Sequence, residues 1–210
     1  MAPIADRDAN RSPTGVGERP RANEVDLWRV DLDAPDVDLS PLSADERARA
    51  ARFLRDDPRR RWQAGRAALR TVLGGYLGIA PAAVELELGH RGKPALADPE
   101  ASLRFNLSHS GELALIALAR GREVGVDVER IGERPPAFYE EWTRREALGK
   151  CFGGGLAEPP PRRPVRMVPL DLGADWAGAL AVAGTAEPRL RRLELAGARL
   201  PHPDVLAEPS

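Results

Sequence analysis

Asp127 and Glu129 stand two apart in Val124-Gly125-Val126-Asp127-Val128-Glu129, inside a stretch that alternates apolar and polar from Glu123 to Val128. A strand of period two puts both carboxylates on one face, about 7 Å apart along the chain. Two carboxylates that close repel each other unless a cation lies between them. An oxygen-only donor set suits Mg²⁺, which commonly takes one or two carboxylates together with substrate phosphates. A bare Asp-x-Glu also describes a solvated strand end, so its surroundings carry the reading. Upstream lies Phe105-Asn106-Leu107-Ser108-His109-Ser110-Gly111, where two hydroxyls and an imidazole cluster at a strand end, an arrangement that suits an anion. Downstream, Trp142, Glu146 and Lys150 recur every four residues and so share one face of a helix. An exposed Glu–Lys pair at this spacing contributes only roughly 0.2–0.5 kcal/mol and has no need of a tryptophan beside it. The Trp on that face points to a cleft wall.

These residues need elements to hold them. Val25–Leu32 is apolar enough for a first strand. Ser43 followed by Glu46 forms a capping box that starts a helix, expected to run to about Arg55 where Asp56-Asp57-Pro58 interrupts it. A second helix is expected from about Pro58 to Leu77, with Ala64, Ala67, Ala68, Val72 and Leu73 inward and Gly78 at its end. Strands follow at 84–88 and 102–107, separated by the turn Arg91-Gly92-Lys93-Pro94. Leu113–Ala119 is almost wholly apolar and reads as a strand buried on both faces. Pro135-Pro136 stiffens a connector before a helix from about Ala137 to Lys150, which Gly153-Gly154-Gly155 ends. Pro159–Pro164 reads as a rigid basic loop, Val165–Leu172 and Trp176–Ala183 as strands, and 189–200 as a candidate last strand. The domains expected are a disordered tail at 1–24, an N-terminal lobe at 25–119, a C-terminal lobe at 120–200 with a short connector at 130–137, and a frayed tail at 201–210.

At 210 residues the chain can bury a real core, and a net charge of −1 gives no global pull toward nucleic acid or membrane. Nine arginines fall between Arg47 and Arg70. They read either as a solvated helix surface or as a phosphate clamp, which suits the forked guanidinium. Arg49 and Arg52 share a face. Few aromatics interleave these charges, so nucleic acid is not the expected partner. The single cysteine, Cys151, excludes a disulfide framework and a cysteine-rich metal site, and His90 and His202 sit in no partner pattern. No signal-like N-terminus and no run of about 18 apolar residues occurs, so a cytoplasmic protein without membrane contact is expected.

In order, Arg52-Phe53, Gly92-Lys93-Pro94, Asn106–Gly111, Gly125–Glu129 and Trp142–Lys150 resemble the motifs of the 4'-phosphopantetheinyl transferases, in their monomeric, two-lobed form that activates peptide and polyketide synthases. The match spans roughly 25–183. Arg145 stands where the family usually has Lys, and only Arg130–Ala137 stand where it usually has several dozen residues. The resemblance implies an α+β fold of two pseudo-symmetric lobes, each a small antiparallel sheet packed on a helix, with the site between them. It implies transfer of phosphopantetheine from coenzyme A to a serine of an acyl- or peptidyl-carrier protein, leaving 3',5'-ADP, in secondary metabolite biosynthesis. Mg²⁺ would then sit on Asp127, Glu129 and Glu146. Glu146 would take the serine proton and Lys150 would stabilise the leaving phosphate. Ser108 and His109 with Arg49 would grip the 3'-phosphate of coenzyme A, and Lys93 and Pro94 would flank the nucleotide. A non-catalytic relative that binds coenzyme A or a partner is the alternative, motivated by the short connector.

Overall fold

The structure, a computed structural model, describes residues 19–89, 93–98, 102–153 and 163–195. Expectations for the first 18 residues, His90, Arg91-Gly92, Gly154-Gly155, the loop from Pro159 to Arg162 and the tail from Pro201 lie outside the described residues.

β1 (Glu24–Asp31) leads into α1 (Ala44–Ala50) and α2 (Asp56–Leu77). The Ser43–Glu46 capping box forms as expected. α1 stops five residues short of Arg55: the N–H groups of Arg52 and Phe53 turn back to Arg49 and Ala50 carbonyls, and Phe53 packs on Trp62 with ring centroids 5.7 Å apart. Gly78 closes α2 in the left-handed conformation at φ 69°. A hairpin of β2 (Leu86–Leu88) and β3 (Pro94–Leu96) precedes β4 (Leu103–Ser110), β5 (Leu113–Arg120) and β6 (Val124–Arg130). Then come α3 (Pro136–Cys151), β7 (Val165–Leu170), β8 (Trp176–Ala183) and β9 (Arg189–Leu195).

The strands form sheets of order β4-β5-β1-β9 and β6-β8-β7. α2 covers one face of the first sheet: Leu69, Val72 and Leu73 meet Trp28, Val30, Phe105, Ile116 and Leu118. The other face meets the second sheet, with Val25, Leu27, Leu115 and Ala117 against Val126, Val128, Leu180 and Val182. β5 therefore lies in contact with apolar partners on both sides, which is why its sequence barely alternates. α3 covers the second sheet through Ala147 and Cys151 on Ala179 and Ala181. The α+β class with small sheets on helices holds.

One placement differs from the expectation. β9, expected in a lobe of 120–200, runs parallel to β1 in the first sheet. It fills the edge that β1 would otherwise leave unpaired, and Arg191 on β9 binds the buried Asp26 of β1 through both carboxylate oxygens. The first sheet is thus mixed, and the second is antiparallel.

Candidate active site at the β4–β6–α3 junction

β4 and β6 run side by side, joined by side chains at a nearly constant offset. Arg104 Nε donates to Glu123 at 3.0 Å, and Asn106 Oδ1 accepts from the Val126 N–H at 2.8 Å. Ser108 Oγ donates to Asp127 Oδ1 at 2.8 Å, and Ser110 Oγ donates to Glu129 Oε2 at 2.9 Å. Ser110 also accepts the Arg130 N–H at 3.2 Å. Period two on both strands produces this ladder: every second residue of Asn106-x-Ser108-x-Ser110 meets the acidic face of β6.

α3 lies against the same face. An added Cβ on Gly125 would sit 2.2 Å from the Ala147 carbonyl oxygen and 2.3 Å from the Cys151 nitrogen, so only glycine lets the last turn of the helix come this close. That approach brings Lys150 Nζ to 2.5 Å from Asp127 Oδ1 and 2.9 Å from Ser108 Oγ. Asp127 is 2 % exposed, yet its Oδ2 has no hydrogen-bond partner. A buried carboxylate oxygen left without a donor is costly and asks for a cation or a water. Burial pushes the Glu129 carboxyl above the ordinary range; its Ser110 bond and the Lys150 charge oppose this, while the Asp127 and Glu146 charges add to it.

Glu146 is half-buried on the α3 face it shares with Lys150, near enough for its charge to act on Glu129. Among the described residues, no three acids converge at metal-ligand spacing as the side chains stand. The donor chemistry still fits a hard divalent ion: an orphaned buried oxygen on Asp127, a second carboxylate two residues on, and a third across on α3. The Lys150 ammonium pairs with the Asp127 carboxylate from the Oδ1 side.

The remaining expected site residues are dispersed. His109 follows Ser108 onto the other side of β4 and is exposed; the surrounding protein, and after it the Lys150 charge, hold its imidazole below the ordinary value. Arg49 lies over the Trp62 ring at 5.5 Å and lines an open groove with Asp45, Ala48, Arg52 and Phe53. Several other arginines of the supposed clamp are engaged in ion pairs: Arg59 with Asp56, Arg60 with Asp57, Arg61 with Asp33 and Arg66 with Glu46. Pro94 opens β3 opposite Leu88. Lys93 points inward, to the Val124 carbonyl at 3.0 Å and the Cys151 carbonyl at 3.3 Å. Trp142 stacks with Phe138, one turn further out on the stripe that carries Glu146 and Lys150, with centroids 6.3 Å apart. The sequence reading counted Ser110 among the clustered hydroxyls and Gly125 within its motif, but gave neither a role of its own at the site. The signal for Ser110 was its spacing of two from Ser108, which repeats the spacing of Asp127 and Glu129.

A family model described as 4'-phosphopantetheinyl transferase, N-terminal, matches residues 27–120. The 4'-phosphopantetheinyl transferase HetI of Nostoc sp. is 38% identical over 170 residues, covering 65% of this chain and 72% of that protein. The chain belongs to the 4'-phosphopantetheinyl transferases. AcpT of Escherichia coli, a 4'-phosphopantetheinyl transferase, is 37% identical over 127 residues, 46% of this chain and 60% of its own length. A 4'-phosphopantetheinyl transferase of Bacillus subtilis is 24% identical over 165 residues, 63% of this chain and 72% of that one. In this transferase the connector from β6 to α3 is only a few residues long, and the chain doubles back so that α3 lies on β6 itself. Among the described residues, no helix is long and apolar enough to cross a membrane.

Proposed function

We propose that this transferase moves the 4'-phosphopantetheine arm of coenzyme A onto a serine of an acyl- or peptidyl-carrier protein at the β4–β6–α3 junction, as a cytoplasmic monomer serving peptide or polyketide assembly. The observation that carries the site assignment is the buried Asp127, held through one oxygen by Ser108 and Lys150 while the other has no partner. Asp127, Glu129 and Glu146 would hold Mg²⁺, which when bound neutralises charge on the pyrophosphate of coenzyme A. Ser110 fixes the Glu129 carboxylate through Oε2. Glu146 takes the proton of the carrier serine, directly or through a water. The serine oxygen forms the new bond to phosphorus as the bond to the 3',5'-ADP phosphate breaks, and that phosphate leaves with the electron pair. Lys150, tethered by Ser108 at the same point, stabilises the charge that develops on it. Arg49 and His109 are assigned to the 3'-phosphate, and Pro94 to the nucleotide.

The test is the intact mass of a panel of carrier proteins after incubation with coenzyme A and Mg²⁺. Addition of one phosphopantetheine arm to at least one carrier is expected. Tight calorimetric binding of coenzyme A with no carrier modified would instead support the non-catalytic relative.

A further inference from the structure

Lys93 belongs by sequence to a turn before β3, far from α3, yet it ends inside the protein at the last turn of that helix. Its Nζ donates to the Cys151 carbonyl at 3.3 Å and to the Val124 carbonyl at 3.0 Å, with Glu123 at 3.6 Å, and its side chain is only 18% exposed. Cys151 is the final residue of α3, and Val124 the first of β6. The last carbonyls of a helix have no intrahelical donor and carry the negative end of its dipole, so a buried ammonium there both satisfies and complements them. Val124 precedes Gly125, whose missing Cβ admits the same helical turn, and Cys151 follows Lys150.

We infer that Lys93 is a positioning residue that latches the C-terminal turn of α3 to the start of β6, and thereby holds Lys150 over Asp127 and Ser108. This differs from the nucleotide contact that the sequence motif suggests for it, because Nζ is engaged by two backbone carbonyls, with the Glu123 carboxylate beside them. The inference rests on the proposed catalytic part of Lys150.

A double-mutant cycle tests it. Lys93→Met keeps the length of the side chain and removes its donors. Expected is a loss of at least tenfold in kcat for carrier loading at saturating coenzyme A, with the Kd for coenzyme A within threefold of wild type. Lys150→Met alone should lose more, and the double variant should be within twofold of Lys150→Met, since a latch has nothing left to position. Multiplying losses, or a weakened Kd with kcat intact, would assign Lys93 to the nucleotide and overturn the latch. Should Lys93→Met not fold, Lys93→Gln is carried through the same cycle. Should Lys150→Met keep full rate, the catalytic reading of Lys150 fails. The latch is then judged by hydrogen exchange of the peptide spanning residues 147–151: faster exchange in the Lys93 variant supports it, and unchanged exchange sinks it.

Discussion

Among the described residues, two aspartates are buried, and they are treated differently. Asp26, on β1, is 0% exposed; Arg191 takes both of its oxygens and the Tyr76 hydroxyl donates to one of them. Trp28 Nε1 in turn donates to the Tyr76 oxygen at 3.1 Å. Burial, together with the Asp26 charge, pushes the Tyr76 hydroxyl far above its ordinary value, so it stays a donor. Asp127, on β6, is equally buried, yet its two protein partners both meet Oδ1 and nothing meets Oδ2. The closed network holds β9 on the first sheet. The open one keeps an acceptor in reserve, which a structural acid has no reason to do.

The comparison breaks most sharply under matched substitutions. Asp127→Asn should lower carrier loading by roughly a thousandfold, while thermal unfolding shifts little, because Lys150 is 30% exposed and can rehydrate. Asp26→Asn should do the reverse: about 3–5 kcal/mol of stability lost in denaturant titration, because an amide cannot accept at both positions from Arg191 and Tyr76, and normal loading per folded molecule. Equal stability losses in the two variants would erase the distinction.

Gly125→Ala comes next. Its methyl would collide with the backbone of α3 at both Ala147 and Cys151, so the helix must shift away from Asp127. Loading is expected to fall about a hundredfold, equivalent to about 2.7 kcal/mol, with a lowered thermal midpoint. Ser110→Ala removes one bond to Glu129, and should weaken Mg²⁺ binding in calorimetry by about 1 kcal/mol, or roughly fivefold. Ser110 touches Glu129 but not Asp127, so an unchanged affinity would argue against Glu129 as a ligand.

The smallest effect is in the pH dependence. The Glu129 carboxyl is raised in the folded state, so the folded chain binds protons that the unfolded chain has released. Metal-free protein should therefore lose stability as pH climbs from the ordinary carboxylate range through the raised value, and Glu129→Gln should flatten that slope. Glu46 runs the other way. Burial would raise it, but the Ser43 N–H, Arg66 and Arg70 outweigh burial and hold it low, so its contribution is present above the ordinary range and fades as pH falls. Melting curves carried from neutral pH down well below the ordinary carboxylate range, with chelator present, separate the two.

Much of the candidate site's layout was legible because it is built from local periodicity. Two-residue spacing placed Asp127 with Glu129, and four-residue spacing placed Glu146 with Lys150. The Ser43 capping box needed only four residues. What stayed hidden depends on partners far away in the chain. β9 is rich in arginine and looks like surface, but Arg191 finds Asp26 across 165 positions. Asp26 shares its strand face with the buried Trp28 and Val30, and only the fold brings Tyr76 of α2 to it, across 50 positions. In the sequence Lys93 reads as part of an ordinary turn, and its hydrogen bond to Cys151 spans 58 positions. The arginine-rich helices left a solvated surface and a phosphate clamp both open, because sequence spacing cannot show that Arg66 turns inward to Glu46, as Arg70 does.

The most direct trial of the central claim is to titrate Mn²⁺, a spectroscopic stand-in for Mg²⁺, into the wild-type protein and into Asp127→Asn, Glu129→Gln and Glu146→Gln, following bound ion by electron paramagnetic resonance. One site is expected in the wild type, weakened at least tenfold in each variant, since all three acids hold the same ion. Binding in Glu146→Gln as tight as in the wild type would contradict a shared centre that joins β6 to α3.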